Sequence, residues 1–221
     1  NNDSAYETAI SLNKKGINVT IVDIRNNSSS ILVKNAKDAG IKIYWNHTVV
    51  NTKGYRRIKS IQIMEMSEDG TNVIGSKINL DCDNLSISGG WTPMVHLFTQ
   101  SGGKLKFRDS DQVFLPSFAT LDQISIGSCN GDFELDDIIK NTILHCKNFL
   151  SSSTTNFDLI KISCPKQKES KNIWLLPNDK PLGKTKPFLD FQNDSTAKDV
   201  KLAMREGFRS IEHVKRYTTT G

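Results

Sequence analysis

The chain predicts an α/β region followed by a small all-α helical module. Three observations carry that reading: helix-length segments that stop at a glycine and run into β-branched strands, three strand-like runs joined by short turns, and a C-terminal pair of helical segments split by Gly207.

The first segment, NNDSAYETAISLNKKG, starts a helix with Asp3 or Ser4 as N-cap and Glu7 as the capping-box partner of Ser4. Ala5, Ala9 and Leu12 mark its apolar side, and Gly16 closes it. Ile17 to Ile24, INVTIVDI, is a β-branched run of the parallel-sheet kind. A helix feeding such a strand normally follows another strand, because parallel strands need a crossover. That strand would precede Asn1, so the sequence reads as an internal piece of a longer protein. Ser28 to Ala39 forms a second helix stopped by Gly40, and Ile41 to Trp45 a second strand. Thr48 to Thr52, Ile58 to Ser67 and Asn72 to Leu80 are strands turning at Lys53-Gly54 and at Glu68-Asp69-Gly70.

Together these elements have the shape of a nucleotide-binding, doubly wound (Rossmann-like) region that is incomplete, in which ligands sit beyond the carboxyl ends of the strands. Asp23 falls near the position of a ribose-binding acid. The turn before the first helix, however, is Asn-Asn-Asp-Ser-Ala rather than a glycine fingerprint, and Asp23 is read as a strand-end carboxylate at the surface. The expected division is 1–84, a nucleotide-binding region with a β-hairpin; 85–150, the returning part of a first dinucleotide-binding domain; 151–187, a linker; and 188–221, the helical module.

Leu85 to Leu97, LSISGGWTPMVHL, is the first candidate site. Two glycines directly after a strand let the backbone approach a ligand closely, which makes Ser88, Gly89, Gly90, Trp91 and Pro93 cofactor-facing candidates; an ordinary strand-to-helix turn has the same signature. Ile124 to Gly127 is a second short strand, and Ser128-Cys129-Asn130-Gly131 a small-residue turn before a helix from about Leu135 to Phe149. Amide groups at that helix start would face an anion. Gly127, Ser128 and Gly131 therefore form the second candidate wall, with two structural turns as the alternative.

The remaining features set limits. The 29 basic residues are spread among 24 acids, so the net charge of +5 does not make a nucleic-acid surface, and Arg56-Arg57 and Lys215-Arg216 read as solvated faces. No stretch approaches the roughly 18 apolar residues of a membrane span. Cys82, Cys129, Cys146 and Cys164 never fall at C-x-x-C spacing and read as reduced, packed thiols of a cytoplasmic protein. His47, His96, His145 and His213 include no H-x-x-x-H pair, so no metal site is expected; His96 follows the glycine loop but reads as a hydrogen-bonded structural histidine. SSSTTN and the segment with Pro177, Pro181 and Pro187 read as a connector, from which Trp174-Leu175-Leu176 would pack on a neighbouring domain.

The last stretch, FLDFQNDSTAKDVKLAMREGFRSIEHVKRYTTTG, places an N-cap near Asp194 or Ser195, a helix to Glu206, a stop at Gly207 and a second helix from about Ser210 to Tyr217. With SGGWTPMVHLFTQSGGKL and NNDSAYETA it resembles the alpha subunit of heterotetrameric sarcosine oxidase, in the same order along the chain. The resemblance implies oxidative demethylation of sarcosine to glycine. It also implies an NAD held by this subunit, FAD and FMN held by or against a beta subunit, gamma and delta partners, and a tetrahydrofolate that collects the one-carbon unit. This piece would be the middle of that subunit, without the glycine-rich fingerprint or the folate domain, and inactive alone. Non-catalytic scaffolding, or a subunit of a related amine or opine dehydrogenase, are the alternatives. Two departures from wider relatives stand out. The helical module resembles a bacterioferritin-associated-ferredoxin-like unit whose C-x-C pair is replaced by Asp190 and Gln192, so no iron–sulfur cluster is expected. Gly127-Ser128 stands where related flavoprotein disulfide reductases carry Gly-Asp, and a serine cannot make the charge-assisted bond to a flavin ribityl chain, which fits NAD better than FAD.

Overall fold

The computed structural model describes residues 1–150 and 173–220. In chain order the elements are α1 (Ser4–Asn13), β1 (Thr20–Asp23), α2 (Ile31–Asp38), β2 (Lys42–Trp45), β3 (His47–Gly54), β4 (Ile58–Met66), β5 (Val73–Asp81), α3 (His96–Gln100), β6 (Lys104–Arg108), β7 (Val113–Phe118), α4 (Leu135–Leu150), β8 (Phe188–Asp190), β9 (Ser195–Thr196), α5 (Ala197–Arg205) and α6 (Ile211–Thr218). Cys164 and the polar linker beginning at Ser151 lie outside the described residues. Among the described residues no helix is long and apolar enough to cross a membrane.

The chain divides into two units that interleave in sequence. Residues 1–21 and 25–44 cluster with the segment that starts at Ser86, whereas a cut at residue 84 was the sequence expectation. In this first unit Tyr6 and Ala9 of α1 and Val33 and Ala36 of α2 are buried and the two helices pack together. β1 pairs with β2 in a two-stranded sheet. Both helices stop where the sequence places a glycine: Gly16 and Gly40 have φ of +80° and +73°, a conformation that costs other residues steric strain. The expected Ser4–Glu7 capping box does not form. Ser4 is already inside the helix, and the Asn2 side chain takes its amide instead. The strand expected over Ile17 to Ile24 is shorter, because Ile17 emerges half-exposed from the glycine turn.

Two predicted strands are absent. Leu85 to Ser88 joins no sheet; Ser88 and Gly89 spend their polar groups on the start of the chain instead. Ile124 to Gly127 is not a strand either: Gly127, at φ +80°, turns the chain into a 3₁₀ helix over Gly127–Asn130. The antiparallel β6–β7 hairpin was not anticipated; it pairs Phe107 with Phe114, whose rings lie 5.0 Å apart.

The second unit is built on the antiparallel sheet β3-β4-β5, with the turns close to where the sequence puts them. Ile63 of the central strand faces Val49 on one side and Ile78 on the other, and Ile61, Ile63, Met64 and Met66 are buried. The β3–β4 register skips Val50. A bulge takes its residue out of the ladder, and the freed Val50 carbonyl accepts from Asn178 Nδ2 at 2.8 Å while Lys77 pairs with Asp179 at 2.5 Å. Those contacts anchor the segment after Trp174-Leu175-Leu176, yet these three residues stay on the surface, Trp174 at 70% exposure.

The module at the end of the chain holds its two helices as expected, with a short β8–β9 hairpin in front of them. The N-cap of α5 is Thr196 rather than Asp194 or Ser195. Asp199 accepts from both the amide and the hydroxyl of Thr196, at 2.8 and 2.7 Å, and these bonds hold its carboxyl below the usual range. Ser195 Oγ donates to the Thr218 carbonyl at 2.6 Å, which ties the hairpin to the end of α6. Asp190 caps the hairpin turn, accepting from the amides of Gln192 and Asn193 at 2.8 and 3.3 Å.

Candidate functional site

The Ser88–Gly89 loop is sewn to the residues that precede α1. Asn2 Oδ1 accepts from the Ser4 amide (3.0 Å), the Ser4 hydroxyl (2.6 Å) and the Ser88 hydroxyl (3.1 Å). Asn1 Nδ2 donates to the Gly89 carbonyl at 2.6 Å, and the Asn1 backbone nitrogen to the Ser88 carbonyl at 3.3 Å. Asn2 is buried, so its amide acts as a spacer that fixes the loop against the helix start. The glycine pair therefore lies beside a helix N-terminus, although no strand leads into it. Gly89 faces open space, with nothing within 4 Å of where a Cβ would sit, and Gly90 has φ +122°. Trp91 is exposed and Pro93 is buried; His96 opens α3 on the exposed side.

Directly at the helix start lies a buried ion pair that the sequence reading missed. Arg25 Nη1 meets Asp3 Oδ1 at 2.9 Å, with side-chain exposures of 7% and 1%, and the Arg25 guanidinium lies 5.8 Å from the Tyr6 ring centre. A helix N-terminus favours a negative charge, and Asp3 already supplies one from within the chain. The residues at this position do not fit a pyrophosphate, whose charge would meet the Asp3 carboxylate. Asp23 is buried at 2% exposure, not on the surface as its place at a strand end had indicated.

The second group serves the packing of its own unit. Gly127 and Ser128 precede α4 by eight and seven residues, and α4 opens with Asp136 and Asp137, which disfavours an anion at its start. Gly127 is buried against Ile138, Ser128 is exposed, and Gly131 sits at φ +82° where a Cβ would come within 2.6 Å of Leu115 and 2.9 Å of Arg108. Arg108 grips Asp111 through Nε and Nη2 at 2.6 and 2.5 Å and donates to the Gly131 carbonyl at 3.3 Å. The guanidinium holds the Asp111 carboxyl below its ordinary range. Ser88 to Gly90 and Gly127 to Gly131 thus hold separate sets of partners. Among the cysteines, burial and then the neighbouring Asp83 and Asp81 carboxylates push the Cys82 thiol up, while Cys146 is exposed rather than packed as its sequence suggested. No group of three or more His, Cys, Asp or Glu side chains able to hold a metal occurs among the described residues.

Residues 184–221 match the Sarcosine oxidase A3 domain family. The chain is 29% identical over 99% of its length to the sarcosine oxidase subunit alpha of Corynebacterium sp. (strain P-1), and 28% identical over all of it to that of Rhizobium meliloti (strain 1021). This chain resembles the sarcosine oxidase alpha subunit from end to end. It spans 23% and 21% of the length of those two sarcosine oxidase subunits. Among solved structures, thioredoxin reductase of T. acidophilum superposes with a TM-score of 0.48 at 18% identity, over 67% of this chain and 48% of that one.

Proposed function

We propose that this chain is part of an alpha subunit in a multi-subunit oxidoreductase of the sarcosine oxidase type. In that reading NAD lies along Ser88, Gly89, Gly90, Trp91 and Pro93, while Gly127, Ser128 and Gly131 serve the packing of the same unit. The complete cytoplasmic enzyme, with beta, gamma and delta subunits, FAD and FMN, demethylates sarcosine to glycine and passes the one-carbon unit to tetrahydrofolate held outside this chain. The observation that carries the proposal is the end-to-end similarity to two sarcosine oxidase alpha subunits. The open side of Gly89, fastened to the start of α1, supports the NAD placement. The test is NAD affinity of the complete subunit with Gly89→Trp, a substitution that meets no neighbour within 4 Å of its Cβ. Affinity lower by about tenfold or more supports the placement; unchanged affinity overturns it.

The buried Asp3–Arg25 pair favours a second reading, in which the nucleotide fold is kept as a scaffold for the catalytic partner. Under it, blocking nucleotide binding leaves turnover intact, while Trp174→Asp with Leu175→Asp disrupts assembly. Turnover that falls in step with NAD occupancy counts against the scaffold.

A further inference from the structure

We propose that the outer face of the β6–β7 hairpin, built on Phe107 and Phe114, is covered by another part of the same polypeptide, one that lies outside this chain. The strand patterns point there. In β6, Leu105 and Phe107 alternate with Lys104, Lys106 and Arg108, and a strand of this period turns its apolar residues toward a core. The register sets Leu105 opposite Pro116 and Phe107 opposite Phe114, so one face of the hairpin carries four apolar residues and no charge. The core of the unit lies on the other face, where Val113 and Leu115 are buried, Leu115 against the turn at Gly131. Phe107 and Phe114 are left 48% and 55% exposed, their ring centres 5.0 Å apart. An antiparallel sheet with one solvated face carries polar residues on it; Val113-Phe114-Leu115-Pro116 of β7 is instead an unbroken apolar run, the pattern of a strand covered on both sides. A two-stranded sheet is also marginal by itself and needs a layer packed on it.

Area selects the occupant. Even with Phe118, 63% exposed at the end of β7, the bare rings amount to about 330 Å², taking about 200 Å² for a whole phenylalanine. A stable association of two separate chains buries about 800 Å² on each. This face is too small to hold a second copy or a free subunit by itself, whereas a segment of the same polypeptide is kept at high effective concentration by its tether. Such a polypeptide is available in the reading proposed above, on which this inference rests: the chain spans 23% and 21% of the length of the two sarcosine oxidase alpha subunits. With no charge on the face, the occupant is the apolar side of a strand or helix, since a charged segment would be buried there without a partner.

The test is hydroxyl-radical footprinting of the full-length alpha subunit, purified alone and free of NAD. Oxidation of each ring is read by peptide mass spectrometry against the same subunit unfolded in urea, and no substitution is needed that could disturb the fold. Phe107 and Phe114 are oxidised at least about tenfold more slowly in the folded subunit, while Tyr55, 96% exposed at the β3–β4 turn, slows by less than about twofold. Slowing of Phe107 and Phe114 by only about twofold, in proportion to their 48% and 55% exposure, overturns the proposal. Protection that appears only in the assembled enzyme also overturns it and gives the face to a partner subunit; protection lost on dilution overturns it in favour of a second copy. The mass of the purified subunit tests the larger reading separately. A subunit no longer than this chain ends that reading, whereas bare rings in a longer subunit end only the assignment of this face.

Discussion

Replacing Arg25 with methionine removes the partner of a carboxylate that water does not reach. The two charges are 2.9 Å apart with side-chain exposures of 7% and 1%. At an effective dielectric of about 20 their attraction is about 6 kcal/mol, most of which offsets the cost of taking both out of water. Deleting one partner leaves the other charge buried alone, which costs about 3–5 kcal/mol, and loss of the guanidinium from the Tyr6 ring adds about 0.5–1 kcal/mol. The cost falls on the start of α1, so the assay is hydrogen exchange of the α1 amides in the purified full-length subunit. Protection falls by about two and a half to four decades in Arg25→Met, up to the limit set by global unfolding. Asp3→Asn combined with Arg25→Met loses less than Arg25→Met alone, because no charge remains to be buried. A loss under about one decade in Arg25→Met, the response of an exposed pair, or strict additivity in the double variant would refute the reasoning.

The other expectations are as follows. Gly131→Ala is destabilising by about 1–3 kcal/mol in thermal or urea unfolding, since its Cβ meets Leu115 at 2.6 Å in a left-handed backbone; Gly89→Ala, with open space around it, stays within about 0.5 kcal/mol of the parent. Equal effects at the two glycines would show that the turn at Gly131 is not packed as described. Thr196→Ala costs about 1 kcal/mol by removing the α5 cap, and a shift indistinguishable from zero in melting of the 184–221 region would contradict it. The Asp69 carboxyl is lowered from 3.8 to about 2 by hydrogen bonds, first from the Ser67 side chain and then from Thr71. A depressed acid stabilises the fold above its unfolded value of 3.8, and that contribution is lost as pH falls through about 2. NMR titration of the Asp69 carboxyl carbon therefore shows a midpoint near 2, and a midpoint at 3.8 or above would rule out the Ser67–Asn72 turn as drawn.

Several elements of this protein follow from residues that are neighbours in sequence. Gly16 and Gly40 end α1 and α2 because a positive φ is a local property of glycine, and the β3–β4–β5 turns at Lys53-Gly54 and around Gly70 lie where short-range turn chemistry places them. The two helices after Thr196 are legible for the same reason, since caps, apolar spacing and Gly207 all act within a few residues. Leu85 to Ser88 and Ile124 to Gly127 carry strand-like composition but no strand, because composition states what a segment can pair with and not whether a partner lies alongside. Tertiary structure alone decided the candidate site. The bond from Ser88 to Asn2 spans 86 residues and the pair of Arg25 with Asp3 spans 22, and neither leaves a periodicity or spacing in the chain that a sequence can display. The Asn-Asn-Asp start, which lacks the glycines of a phosphate-binding turn, was visible from the outset; that its acid is answered by Arg25 from the end of the next strand is a fact of packing.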